Sequence, residues 1–348
     1  MMKKIAVGIL GATGMVGQKF VELLISHPWF EITALAASDR SAGRSFQDAA
    51  NWRMAAPLPE KIASMPIRPC EPSLPCDLVF SALDSSVAGG IEEEFAKAGY
   101  LVVSNCSSHR MASHVPLIVP EINADHLRLI EQQPYGKGAI ITNPNCSVAG
   151  IALALKPLLD KWGIAAVHIV TLQALSGAGY PGIPSTDILD NVIPYIAGEE
   201  AKVETEPLKI MGSYQNNSIT LYPMRISAHC NRVPVADGHL ACISVKLNCR
   251  AGSEEIITAW QAFRSEPQVL ELPSAPKTPL VYLENEKHPQ PKIHRTLGEG
   301  MSVAIGRLRA CSLLDWKFAL LSHNVIRGAA GCALLNAELL VKKGYLKC

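Results

Sequence analysis

The chain has 348 residues, 48% of them hydrophobic and 18% charged, which excludes a disordered chain and provides for about two domains with proper cores. Lys and Arg number 32 against 31 Asp and Glu, so the net charge of +1 gives no bulk field toward nucleic acid or an anionic membrane. The 10 cysteines lie far apart without C-x-x-C spacing, and no His-rich tract accompanies them. They are expected to be reduced thiols of a cytoplasmic protein, with no metal site.

Lys3 and Lys4 before an apolar run superficially suit a secretory leader. Glycines at 8, 11, 14 and 17, and the missing small-residue cleavage site, argue against one. No apolar run approaches the roughly 18 residues of a membrane span. Residues 4–10 predict a strand buried on both faces, 11–17 a glycine turn and 18–25 an amphipathic helix stopped by His27-Pro28. A second strand follows at 31–37. The pattern repeats as strand 77–82, helix 87–97, strands 100–104 and 139–142, and a helix from Ser147. Such alternation predicts an α/β, Rossmann-type, doubly wound parallel sheet.

Beyond residue 163 the texture changes to longer strands at 164–172, 218–226, 239–248 and 302–310, with a helix near 254–263. Proline-rich loops fall at 267–279 and 289–291. This predicts a second, α+β domain with a mostly antiparallel sheet and few helices. The last helix, 325–342, is small on one face (Gly328, Ala329, Gly331, Ala333), which suits close packing. The expected division is a dinucleotide-binding domain over 1–145, completed by the C-terminal helix 325–348, and a catalytic and dimerisation domain over 146–324.

Four segments carry chemistry. Gly11, Gly14 and Gly17 sit between a strand and a helix, where free N–H groups and the helix dipole receive a pyrophosphate. After the second strand, Ser38-Asp39-Arg40-Ser41 offers Ser38, Arg40 and Ser41 for the 2′-phosphate of NADP, with Asp39 the acid an NAD enzyme would use. Asn143-Pro144-Asn145-Cys146-Ser147 places one thiol at a helix mouth, where the dipole favours thiolate and Asn145 with nearby N–H groups stabilises an oxyanion. A nucleophilic thiol beside a nicotinamide suits acylating aldehyde chemistry. Arg232 and His239, flanking a turn, provide a substrate anchor and a base.

These motifs identify a resemblance to the aspartate-β-semialdehyde dehydrogenases, in the archaeal or fungal-type branch, over nearly the whole chain. It includes Ala37 to Ser41, Ser104-Asn105, His109-Arg110-Met111, the cysteine motif, and the run from Gln173 through Ser176-Gly177 to Gly182. It continues with Glu199-Glu200, Glu206-Pro207-Leu208-Lys209, Cys230 to His239, and His323-Asn324 to Gly331. The resemblance implies an NADP-dependent, phosphorylating oxidoreductase of aspartate-family biosynthesis (lysine, diaminopimelate, threonine, methionine), reducing aspartyl phosphate to the semialdehyde through a cysteine thioester. It implies Cys146 as nucleophile, His239 as general acid/base and Gln173 as the residue orienting the thioester carbonyl. Arg232 would clamp the substrate carboxylate, Glu206 meet its amino group, and Lys209, Arg110 and Asn145 form the phosphate site. Cofactor contacts would come from Gly11, Thr13, Gly14, Met15, Val16, Ser38, Arg40, Ser41, Ser81, Ser176, Gly177 and Asn324. A homodimer or homotetramer built on the second sheet is implied, with no nucleic-acid or membrane partner.

Cys106 stands where the family suggests a small residue, and packing is its expected role. Glu206 and Lys209, at i,i+3, are also compatible with an ordinary surface helix pair. Two alternatives stay open: a malonyl-CoA or related acyl-CoA reductase on the same scaffold, and a non-catalytic NADP-binding regulator.

Overall fold

Six apolar strands, β1 (Ile5–Leu10), β2 (Phe30–Ala37), β3 (Ile67–Pro69), β4 (Leu78–Ser81), β5 (Leu101–Ser104) and β6 (Ala139–Thr142), pair in parallel in the order β3-β2-β1-β4-β5-β6. The structure, a computed structural model, describes residues 4–346. Lys3 and the start of the expected first domain, and Cys348 with the end of the expected C-terminal helix, lie outside the described residues.

Every residue of β4, β5 and β6 is buried, because both faces of the sheet are covered. Helices α1 (Met15–Leu24) and α2 (Ser85–Lys97) cover it, the latter capped by Asp84, which accepts the Ser86 N–H at 2.9 Å. Chain order reverses between β1 and β4, and the crevice beyond their carboxyl ends is where such sheets bind ligands. The turn leading there requires glycine: Gly11 has φ +75°, and a Cβ on Gly17 would lie 2.2 Å from the Gly11 carbonyl oxygen.

The chain leaves β6 into helix α3 (Cys146–Trp162), which runs beneath a second six-stranded sheet. That sheet contains β7 (Ile164–Gln173), then, after a separate two-stranded hairpin of β8 (Ser213–Gln215) and β9 (Ser218–Thr220), β10 (Arg225–Arg232) and β11 (His239–Leu247). It is completed by β12 (Leu280–Leu283), β13 (Val303–Ala310) and β14 (Trp316–Ser322), in the order β10-β7-β11-β14-β13-β12. Helices α4 (Glu199–Ile210) and α5 (Ser253–Ala262) join α3 on the covered side, with Trp260 Nε1 donating to the Ala154 carbonyl at 2.9 Å. The opposite face of β7 and β11 alternates to half-buried or exposed residues, among them His168, Val170, Leu172, Leu240 and Cys242.

The second sheet is mixed: β10 runs parallel to β7 and β12 to β13, while β7–β11, β11–β14 and β13–β14 are antiparallel. The strand expected over 218–226 is two pieces. Pro223 removes an amide between them, and Asn216 and Asn217, both at positive φ, turn β8 into β9. The helix expected at 325–342 begins as a π-turn, Ile326–Ala330, before α6 (Gly331–Lys342). Helix α6 buries Ala333, Leu334, Ala337 and Leu340 in the core of the first sheet. Helix α4 had no counterpart among the expected elements beyond the Glu206–Lys209 spacing. Its Glu200 and Glu204 accept the N–H groups of Cys230 and Ala228, closing the free edge of β10.

Candidate active site

Register brings three of the expected residues together. Gln173 ends β7 and pairs with Arg232 at the parallel end of β10, while His239 opens the neighbouring antiparallel β11 opposite Ser322. All are buried on the face that α3 covers. Asn145 caps α3 by accepting the Ser147 N–H at 2.9 Å, so Cys146 is the first helical residue and is delivered to that corner. Its Sγ lies 3.3 Å from His239 Nε2.

The thiol differs from the expected thiolate. Burial, then the charge of Glu199, pushes its pKa up to about 12 against the pull of Arg110 and Arg232. Desolvation outweighs the helix dipole here. His239 is pushed down to about 3 by burial and by the charges of Arg232 and His323, so the pair rests as neutral thiol and neutral imidazole. The Ala174 N–H donates to His239 Nδ1 at 3.1 Å, which leaves the ring proton on Nε2, facing sulfur.

Around the pair the groups are linked to one another. Arg110 Nη1 meets Glu206 at 2.9 Å and its Nη2 donates to the Asn105 carbonyl at 2.6 Å. Glu206 also accepts the Asn145 N–H at 2.6 Å. Lys209 donates to the carbonyls of Arg110, Ala112 and Val115, each at 2.7 Å, and burial lowers its pKa to about 8. At 2% and 3% exposure, Glu206 and Lys209 are not a surface helix pair. The saturated ammonium of Lys209 fixes the 110–115 loop. Arg232 Nη1 donates to the Ala174 carbonyl at 2.6 Å. Among the described residues the buried Nε groups of Arg110 and Arg232, like that of Arg327, have no acceptor.

Gln173 Nε2 lies 3.1 Å from Glu199 and 3.4 Å from Thr171 Oγ1, which leaves its Oε1 as the polar atom free for a ligand. Three further residues hold Cys146 in place, and none was expected at the site. Gly328 backs onto the nucleophile so closely that a Cβ there would lie 2.5 Å from the Cys146 carbonyl oxygen. Glu121 and Arg327, both at 0% exposure, brace that π-turn through two bonds of 2.7 and 2.6 Å. The close small face of the last helix was the visible signal for Gly328; nothing local signals the ion pair.

On the other side of the thiol the residues suit a dinucleotide. Gly11, Thr13 and Gly14 form the turn into α1, with Met15 and Val16 in its first helical turn; among the described residues no side chain caps that terminus and no acid occupies its first turn. Its N–H groups are therefore free to meet a pyrophosphate. Ser38 and Arg40 are exposed, with Ser41 half-buried, at the end of β2. Ser81 is buried at the end of β4, beside Cys106, whose thiol donates to the Leu83 carbonyl and is pushed up to about 12 by burial. Asn324 donates to Ser176 Oγ at 2.8 Å and accepts the Gly238 N–H at 2.9 Å, tying the Ser176-Gly177 turn to the start of β11. A Cβ on Gly177 would lie 2.8 Å from Arg232 Nη1 and 2.9 Å from His239 Cε1.

The chain resembles known proteins over nearly its whole length. Residues 6–130 match the family described as semialdehyde dehydrogenase, NAD binding domain, and 155–327 match semialdehyde dehydrogenase, dimerisation domain. The aspartate-semialdehyde dehydrogenase of Archaeoglobus fulgidus is 44% identical over 97% of this chain and 98% of its own length. That of Schizosaccharomyces pombe is 46% identical over 98% and 99%. The crystal structure of the Candida albicans aspartate-semialdehyde dehydrogenase with NADP superposes with a TM-score of 0.91 at 42% identity, covering 99% of this chain and all of that one. The chain belongs to the aspartate-semialdehyde dehydrogenase family.

Proposed function

We propose that the chain reduces L-aspartyl-4-phosphate to L-aspartate-4-semialdehyde with NADPH, and catalyses the reverse with phosphate. The observation that carries this is the Cys146–His239 pair at 3.3 Å, between a pocket with two unpaired buried guanidinium donors and an uncapped dinucleotide turn. The Gly11–Val16 turn would hold the pyrophosphate, Ser38, Arg40 and Ser41 the 2′-phosphate, and Ser81, Ser176, Gly177 and Asn324 the nicotinamide end. When bound, the cofactor supplies the hydride that reduces the thioester carbon.

The chain's own residues do the rest. Arg232 receives the substrate carboxylate and Arg110 the phosphoryl group, each through its free Nε. Glu206 holds Arg110 and the Asn145 amide in place. Sulfur attacks the acyl carbon, the C–S bond forms as the C–O bond to phosphate breaks, and the thiol proton leaves with the phosphate. A neutral thiol is a poor nucleophile, so attack and proton loss are coupled. His239 acts through its Nε2 proton, first on the sulfur as charge develops and then on the substrate oxyanion; the Ala174 amide at Nδ1 fixes that tautomer. Collapse of the tetrahedral adduct releases the aldehyde and the Cys146 sulfur as thiolate, which takes one proton from solvent to restore the resting thiol.

The working unit is proposed to be a homodimer through the open face of the second sheet, which the dimerisation-domain match supports; two such dimers would give a tetramer. Residues 1–145 with the C-terminal helix form the cofactor domain in this reading, and 146–324 the catalytic and dimerisation domain. Among the described residues no helix is long and apolar enough to cross a membrane. The test is NADP reduction with aspartate semialdehyde, with and without phosphate, by wild type and Cys146→Ser. Activity confined to wild type with phosphate is expected; phosphate-independent turnover, a requirement for coenzyme A, or full activity in the variant would overturn the proposal.

A further inference from the structure

Two of the contacts that join the side of the first sheet to the side of the second differ in kind. Where the chain runs toward β12 the joint is buried: Glu338 of α6 accepts the N–H and the hydroxyl of Ser274 and meets His27 Nε2 at 2.9 Å. On the cofactor side the contact is between two exposed side chains, with the Arg53 guanidinium carbon 4.1 Å from the centroid of the Tyr180 ring. Each of these belongs to a loop tied to one end of the proposed cofactor path. Gln18 of α1, itself buried, donates to the Thr13 carbonyl at 2.9 Å and the Asn51 carbonyl at 3.1 Å. It also accepts the Arg53 N–H at 2.9 Å, which fastens residues 51–53 to the dinucleotide turn. Tyr180 follows the Ser176-Gly177 turn that Asn324 holds, and lies between Gly179 at φ +70° and Gly182 at φ +87°. We propose that Arg53 and Tyr180 form a strap over the cofactor cleft, which parts to let a dinucleotide in or out and recloses over it.

The chemistry of the contact suits a gate. A guanidinium over an aromatic face is held by the ring quadrupole, and in water that attraction is weak enough to break often. The two ends also differ in stiffness. Trp52, next to Arg53, packs edge-on against the buried Phe46 at 6.1 Å between ring centroids and donates to the Ala56 carbonyl at 2.8 Å. A Cβ on Gly179 would meet nothing within 4 Å, so glycine serves there for backbone freedom rather than for space. Arg53 is therefore the fixed post of the strap, and the Gly179–Gly182 loop is its moving arm. A gate and a ligand leave different kinetic marks. A strap that closes the free and the loaded enzyme alike slows entry and exit together and leaves affinity in place. An Arg53 that instead bound a cofactor phosphate would speed entry, slow exit and raise affinity.

The inference rests on the cofactor reading above, and the experiment separates the two. NADPH binding and release are followed by stopped-flow fluorescence in wild type, Arg53→Ala, Tyr180→Ala, Tyr180→Phe and the double Ala variant. Hydrogen exchange is measured on the cofactor-free proteins. Each single Ala variant is expected to raise the association and dissociation rate constants together, about twofold to fivefold, the size of an exposed cation–π contact, with Kd little changed. The double variant is expected to exchange no faster than either single one, because one contact is lost in all three. Tyr180→Phe keeps the ring face and is expected to restore the slow exchange. In Arg53→Ala, amides of the 179–182 loop are expected to exchange faster, while those of 51–53, held by Gln18, do not. Unchanged rate constants in both Ala variants, or full additivity in the double one, overturns the strap. So does a slower association with a higher Kd in Arg53→Ala, which would make Arg53 a phosphate ligand. If wild type binds no NADPH, the cofactor reading fails, and the exchange of the 179–182 loop alone then decides: no change in Arg53→Ala overturns the strap as well.

Discussion

The two sides of Cys146 are built on opposite plans. On the cofactor side two local segments are little engaged by the protein, the uncapped start of α1 and the exposed Ser38 and Arg40, while Ser81 and Asn324 are buried and Asn324 ties down the Ser176-Gly177 turn. On the substrate side Arg110, Asn145, Gln173, Glu199, Glu206, Lys209 and Arg232 are buried and bonded to each other or to backbone. A large, detachable ligand needs open donors, whereas a small one that is to be attacked needs fixed geometry. Changes on the first side should therefore move KM, and changes on the second should move kcat and stability together.

Removing His239 as Ala is expected to have the largest effect, a loss of about 10²–10⁴ in kcat, with the cofactor KM little moved; a cofactor-side phenotype would break the contrast. Replacing Glu121 by Gln leaves Arg327 charged in the core and is expected to cost about 3–5 kcal/mol in a denaturation experiment, the scale for breaking a buried pair. Lys209→Met strips three carbonyls of their shared donor. It is expected to lower both Tm and kcat, and a pure rise in the phosphate KM would show the ammonium reaching the ligand directly. Arg40→Ala should act on the other side alone, raising the KM for NADPH about tenfold or more with little change for NADH, the size of one charged hydrogen bond.

Acid stability is also expected to change. His239 and His323 are neutral in the fold, held at about 3 and about 4, chiefly by burial. An unfolded histidine binds a proton near 6.5, so the unfolded state takes up protons first and stability falls as pH drops below that value. The loss should continue down to about 4 and then, for His239, to about 3. A denaturant midpoint that stays flat from pH 7 to pH 4 would place these rings in contact with water.

The same contrast decides what the sequence could reveal. The glycine turn, the serines and arginine after β2, and the thiol at a helix mouth are local signals, each legible within a few residues. The parallel first sheet was equally plain, since strands buried on both faces read as short apolar runs. The substrate side depends on pairing register and on residues about a hundred positions apart, such as Arg110 with Glu206 and Lys209. Resemblance brought those names together, but not the saturation of Lys209 by backbone carbonyls. The break of the expected strand at Pro223 was readable in principle. The π-turn was not, because it follows from how closely Gly328 must pack on Cys146. Burial also reversed the expected thiolate: a helix terminus favours the anion only as far as its surroundings allow.

The central claim is that Cys146 carries the acyl group between phosphate and hydride. The direct measurement is a single turnover of aspartate semialdehyde with oxidised NADP in the absence of phosphate, followed by acid quench and peptide mass analysis. An aspartyl group in thioester linkage on the Cys146 peptide, discharged when phosphate is added, is the expected result. Reduced cofactor formed without that adduct, or an adduct on another residue, would contradict the account.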